Sequence, residues 1–137
     1  MTGRPDPTPY LFVYGTLKRT FDNSFSKELQ HSSIYIADGT FPGHLYLVSW
    51  FPGAIYDPES AFSVQGEIYK MEDPGQLLPV LDEYEEIHPD PELNLYIRKT
   101  IPIISTDEQI FNCWTYLYNQ SSEGLRQIVS GIFSGTE

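Results

Sequence analysis

Six carboxylates crowd into the stretch from Asp82 to Glu92: Asp82, Glu83, Glu85, Glu86, Asp90 and Glu92. Carboxylates held close together raise one another's pKa, which suits a group that must first take a proton and later give it back. Composition alone equally describes such a run as a solvated acidic face. Glu67 stands apart, inside an alternating segment, and reads either as a strand residue facing solvent or as a buried carboxylate able to hold an ammonium group. The remaining candidates for chemistry are few. His31, His44 and His88 are widely separated and Cys113 is the only cysteine, so no set of residues has metal-ligand spacing, and neither a metal nor a cofactor is expected.

Elements that would position these groups are visible on both sides of them. Leu11-Phe12-Val13-Tyr14 is apolar on both faces, as a central strand is, and it stops at Gly15, where the chain can turn sharply or approach a ligand closely. The residues just after Gly15 lack a strand pattern, so the segment reads either as an ordinary turn or as a loop of outward N–H donors, a cradle for an anion or carbonyl. Trp50-Phe51-Pro52-Gly53-Ala54 is a rigid aromatic turn, a lid over the core or a pocket wall. Asp73-Pro74 opens a helix, with Asp73 as its cap, whose apolar face is Leu77, Leu78, Val80, Leu81 and Tyr84 and which ends at the acidic run.

The rest of the chain follows by periodicity. Met1 to Pro9 is a loose arm, and Lys18 to Asn23 a loop. Ser24 to Gln30 is a short helix capped by Ser24, and Ser33 to Ala37 a strand. Asp38-Gly39 makes a turn, and Phe41 to Val48 and Ala54 to Asp57 are extended. Phe62 to Tyr69 alternates as a strand with Gly66 marking a close approach, Asn94 to Ile104 is another with Pro102 at an edge or end, and Thr106 to Gln109 is a turn. Ile110 to Tyr118 is the last strand, with Phe111, Cys113, Thr115 and Leu117 on one side and Asn112, Trp114, Tyr116 and Tyr118 on the other. Ser121 to Phe133 fits an amphipathic helix with Leu125, Ile128, Val129 and Ile132 inward. Strands outnumber helices without strict alternation, which gives an α+β domain. A chain of 137 residues is expected to form a single domain, 1–137, and its formal charge of −11 disfavours nucleic acid and anionic membrane as partners. With no signal-like apolar stretch at Met1 to Pro9, a cytoplasmic location is expected; oligomeric state is not legible.

Val13-Tyr14-Gly15-Thr16-Leu17-Lys18 resembles the V-Y-G-[TS]-L-[KR] signature of the γ-glutamylcyclotransferase-like family, which includes AIG2-like proteins and γ-glutamylamine cyclotransferases. Later segments agree in order: Phe51-Pro52-Gly53-Ala54 with an [FY]-P-[GA] turn, Gly66-Glu67-Ile68-Tyr69 with a G-E-[VI]-Y strand, Leu81-Asp82-Glu83-Tyr84-Glu85 with L-D-x-[FYL]-E, Tyr96-Ile97-Arg98 with Y-x-R, and Trp114 to Tyr118 with the closing strand. Glu86 departs from the small residue many relatives carry there. The resemblance implies a small mixed β-barrel flanked by short helices, and a pocket beside the end of the first strand. It makes Glu85 the catalytic acid/base and puts Pro52 and Gly53 in a wall of the site; the backbone of Tyr14, Gly15, Thr16 and Leu17 would then bind the substrate's carboxylate or oxyanion, with Tyr118 or Tyr96 as the side chain to orient it. The activity implied is conversion of a γ-glutamyl amine or peptide to 5-oxoproline and free amine. The alternative is a non-catalytic module that binds a small molecule in the same pocket.

Overall fold

The computed structural model describes residues 8–18, 21, 23–85 and 94–136. Most of the N-terminal arm, part of the loop from Lys18 to Asn23, and Glu86, His88, Asp90 and Glu92 lie outside the described residues. The elements in chain order are β1 (Tyr10–Val13), α1 (Ser24–Ser32), β2 (Ser33–Leu47), β3 (Pro52–Tyr56), β4 (Ser63–Met71), α2 (Pro74–Tyr84), β5 (Tyr96–Ser105), β6 (Ile110–Tyr118) and β7 (Arg126–Gln127).

Strand β1 is central, as its two apolar faces require: it pairs antiparallel with β4 and parallel with β6. Strand β6 continues to β5 and β4 to β2, and the Gly39–Ser105 and Thr40–Ile104 pairs between β2 and β5 close a five-strand mixed barrel. Alternation sorts the side chains. Phe12, Phe41, Val64, Ile68, Ile103 and Cys113 fill the inside, while Leu11, Val13, Tyr69 and Met71 face outward and are covered by Leu29 of α1 and Leu77, Leu78 and Leu81 of α2. Val80, expected on the inner face of α2, is exposed. The far half of β2 leaves the barrel to pair with β3 on one side and β7 on the other.

Four local expectations are corrected. Asp38-Gly39 is not a turn, because β2 runs unbroken through it with only a register shift between Tyr35 and Ala37. Gly39 faces Gly66 across the ladder, and a Cβ on it would stand 2.8 Å from Ile103 Cγ2 and 2.9 Å from Ile68 Cδ1, so the glycine answers to the narrow barrel interior and not to a hairpin. Ser121 to Phe133 is not a helix. Gly131 sits at φ 73°, its carbonyl accepts the Gln65 N–H at 2.8 Å, and the Ile128 N–H donates to Leu45 at 2.7 Å, so sheet bonding captures the segment and Ile128 and Phe133 plug the barrel. Finally, α1 is capped by Asn23, not Ser24. Its Oδ1 accepts the Ser26 N–H at 2.8 Å while Ser26 Oγ accepts the Asn23 N–H at 3.2 Å, a reciprocal box that satisfies two end donors. Asp73 stands at the N-cap of α2, but its side chain makes no capping bond.

Candidate active site

Strand β1 delivers the chain to a turn at the barrel's end, beside the C-terminus of α2. The turn is closed by the Lys18 N–H donating to Gly15 O at 3.1 Å. It is held from outside by Asn23 Nδ2 donating to Thr16 O at 2.8 Å and by the buried Lys18 ammonium, which donates to Phe133 O at 2.6 Å. Among the described residues, the N–H groups of Gly15, Thr16 and Leu17 have no intramolecular acceptor. A turn fixed on both sides with its inner donors unspent is preorganised for an anion. Gly15 does not adopt a left-handed φ; what it provides is space, since a Cβ would come within 3.0 Å of Pro52 Cγ.

That turn forms one wall of a cavity of about 240 Å³. The cavity is smaller than the roughly 300–1,000 Å³ of sites for drug-sized ligands, a scale suited to a small metabolite and not to a polymer. Of the residues expected from sequence, Tyr14, Gly15, Thr16, Leu17, Pro52 and Glu85 line it; Gly53 and Tyr118 do not. Those two pack against each other behind the wall, where a Cβ on Gly53 would fall 2.8 Å from Tyr118 Cδ1, and the Tyr118 hydroxyl reaches Ser121 O at 3.4 Å. Glu67 is buried but also outside the cavity, accepting the Tyr69 hydroxyl at 2.8 Å.

Glu85 is the C-cap of α2, its N–H returned to Leu81 O at 2.9 Å, and its side chain faces a ring of phenols. Burial raises the pKa of Tyr14, Tyr84, Tyr96 and Tyr116, and the nearby charge of Glu85 raises each further. All four stay neutral at physiological pH, so they are hydrogen-bonding groups and not bases. Their hydroxyls are already placed: Tyr14 donates to Tyr116 O at 2.5 Å and accepts the Ala54 N–H at 3.1 Å, Tyr84 is hydrogen-bonded to Thr16 Oγ1 at 2.5 Å, and Tyr96 donates to Pro52 O. Tyr14 therefore offers the cavity its backbone, while its hydroxyl ties β6 to β3. The Tyr116 hydroxyl donates to Asp82 Oδ1 at 2.7 Å, and Arg98 holds the same carboxylate through Nε at 2.8 Å and Nη2 at 3.0 Å. Tyr84, Tyr116 and this Asp82–Arg98 pair were given no site role from sequence, although Asp82, Tyr84 and Arg98 stand in segments that carry the resemblance. The available signal was spacing, since Asp82 and Glu85 are three apart near one end of a helix and Tyr116 lies on the Tyr118 face of β6.

The model for the family described as gamma-glutamyl cyclotransferase, AIG2-like, matches residues 11–135. The chain belongs to this family. Solved structures share its fold: YkqA from Bacillus subtilis at TM-score 0.66 and 22% identity over 91% of this chain, and an AIG2-like protein from Mus musculus at TM-score 0.63 and 25% identity over 85% of it. A protein described as a gamma-glutamyl cyclotransferase superposes at TM-score 0.58 with 14% identity, covering 86% of this chain and 68% of its own. The chain spans 39% of YkqA and 90% of the mouse protein. No curated protein matches it in sequence. Membership in the gamma-glutamyl cyclotransferase, AIG2-like family supports a small-molecule substrate, in keeping with the cavity's size, and no described helix is long and apolar enough to cross a membrane.

Proposed function

We propose that this protein is a γ-glutamyl amine cyclotransferase in which Glu85 is the general acid/base. The observation that supports the reading is that Glu85, the one charged side chain among the described lining residues, shares the cavity with the Gly15–Leu17 donors. In the reaction, the α-nitrogen of a γ-glutamyl amine bonds to its own γ-carbonyl carbon, the bond from that carbon to the amine nitrogen breaks, and 5-oxoproline and free amine result. The two protons lost by the α-ammonium nitrogen are the two gained by the expelled amine, so no cofactor, water or net acid is consumed. Glu85 takes a proton from the α-nitrogen and returns one to the leaving nitrogen. The amides of Gly15, Thr16 and Leu17 receive the α-carboxylate or the developing oxyanion. Because nucleophile and electrophile share one molecule, selecting the folded conformer supplies much of the rate, and a small, stiff cavity lined by fixed phenols favours that conformer.

The test is release of 5-oxoproline from γ-glutamyl amines, corrected for spontaneous cyclisation. Glu85→Gln should lower turnover by about 10²- to 10⁴-fold with the melting temperature little changed, while Glu83→Gln, on the exposed side of α2, should stay near the parent. Turnover in Glu85→Gln within twofold of the parent would remove Glu85 from the role. A parent that binds 5-oxoproline yet cyclises no γ-glutamyl amine would be the non-catalytic module.

A further inference from the structure

Exposure of the lining residues gives the cavity a direction. Val13, Leu17 and Tyr116 are buried, whereas Trp50 is 72% and Leu95 39% exposed. The floor is therefore formed by Val13, Leu17 and Tyr116, the half-buried Gly15 and Thr16 stand on the wall above it, and the mouth is a shelf of Trp50, Phe51 and Leu95. Trp50 is not loose on that shelf: its ring stands edge-on to Phe51 with centroids 5.0 Å apart, and Phe51 leans on Tyr96 at 6.3 Å. An indole held rigid, left mostly in water and continuous with a cavity presents apolar area without a hydrogen-bonding demand beyond its own N–H. Charge in the cavity is one-sided: among the described lining residues Glu85 is the one charged side chain, and no Lys, Arg or His lines it.

Resting on the proposed cyclotransferase reading, we infer that the leaving group is an uncharged apolar or aromatic amine, held by Trp50, Phe51 and Leu95 while the glutamyl part occupies the floor. A leaving group with its own carboxylate, as in γ-glutamyl dipeptides, would bring an anion beside Glu85 in a cavity whose described lining offers no cation, a pairing that costs free energy instead of returning it. A cationic leaving group has Glu85 and the ring faces in its favour, but a short primary ammonium is strongly hydrated and covers little of the indole. A benzyl or longer alkyl group loses little hydration and covers the indole.

Four substrates separate these cases: γ-glutamyl benzylamide, γ-glutamyl methylamide, γ-glutamylglycine and the mono-γ-glutamyl amide of a diamine. The benzylamide is expected to exceed each of the others at least tenfold in kcat/KM. Trp50→Ala, at an exposed position, should lower the benzylamide-to-methylamide ratio about tenfold, and Trp50→Phe should keep most of it. γ-Glutamylglycine or the diamine amide matching the benzylamide, or a ratio unmoved by Trp50→Ala, would overturn the inference. Calorimetry on Glu85→Gln with the same compounds separates it from the reading it rests on. If no 5-oxoproline forms from any substrate but the benzylamide binds at least tenfold tighter than the methylamide in a Trp50-dependent way, the shelf stands and the reaction falls. Equal binding by all four would sink the shelf whatever the chemistry.

Discussion

Removing the guanidinium of Arg98 tests whether α2 is held in register with the barrel from below the cavity. Asp82 lies nearly one turn before Glu85, and Arg98 and Tyr116 are directly opposed on β5 and β6, so the Asp82 carboxylate joins the end of the helix to two adjacent strands. It accepts two bonds from Arg98 and one from Tyr116, and the guanidinium carbon lies 4.5 Å from the centre of the Trp114 ring. In Arg98→Met the aliphatic stem is kept, but the carboxylate retains only the phenol. Breaking a buried pair costs about 3–5 kcal/mol and an exposed one about 0–1. With Asp82 and Arg98 side chains 25% and 24% exposed, water can repair part of the loss, which puts the expected destabilisation near 2 kcal/mol. For a domain of this length that corresponds to a fall in Tm of about 6–8 °C. Arg98→Lys should recover less than half, because an ammonium cannot make both parallel bonds. Thermal and urea unfolding of the parent, Arg98→Met, Asp82→Asn and the double variant measure the pair directly, and the double should be milder than the sum of the singles by about 1 kcal/mol or more. If Arg98→Met stays within 0.5 kcal/mol of the parent, or the two losses simply add, the pair is not what holds the end of α2.

Two further perturbations address the barrel. Burial pushes the Cys113 thiol up from 9.0 to about 12. Between these values the unfolded chain has released a proton that the folded chain keeps, so the thiol's contribution to stability is whole below pH 9 and is lost as pH rises to 12, at up to about 1.4 kcal/mol per pH unit. The buried tyrosines act in the same direction, so the diagnostic quantity is the stability gap between the parent and Cys113→Ala in urea at pH 8 and pH 10.5, which should move against the parent at the higher pH; a constant gap refutes it. Gly131→Ala should cost more than about 3 kcal/mol, because its Cβ would fall 1.8 Å from Ser63 O at a left-handed φ, whereas Gly124→Ala, at φ 80° with open space around it, should cost about 1 kcal/mol, the backbone penalty alone. Equal losses in chemical denaturation would mean that the contact with β4 is not formed.

The strands of the barrel were legible because their constraint is periodic and short in range. Ile110–Tyr118 alternates between the barrel interior and the helix-covered face, and β1 is apolar throughout because it is covered on both sides. The failures share a cause, which is that a local pattern met a distant partner. Leu125, Ile128, Val129 and Ile132 repeat as an inward helical face would, yet Val129 and Ile132 are exposed, because the backbone there bonds to β2 and β4. Asp38-Gly39 carries a turn signature, yet the glycine is required by Ile68 and Ile103 across the barrel. Nothing within either segment records those partners.

The candidate site divides the same way, between backbone and side chain. Gly15, Thr16 and Leu17 were legible as a turn beyond a buried strand, with a donor cradle one of its two readings, and Pro52 as part of an aromatic turn that is either a lid or a pocket wall; the resemblance chose between them. What composition and periodicity could not rank, leaving it to the resemblance, was one carboxylate above its neighbours. Glu83 and Glu85 have the same chemistry and lie two residues apart, but successive helical positions differ by about 100°, so one faces water and the other the phenol ring. The helix's rotation about its own axis makes that choice, and Leu77, Leu78 and Leu81 on the barrel with Asp82 clasped by Arg98 and Tyr116 set the rotation. The proton shuttle proposed at Glu85 therefore depends on residues outside the cavity lining, Asp82 and Arg98 among them, and for this reason a change at Arg98 should be felt in turnover as well as in melting temperature.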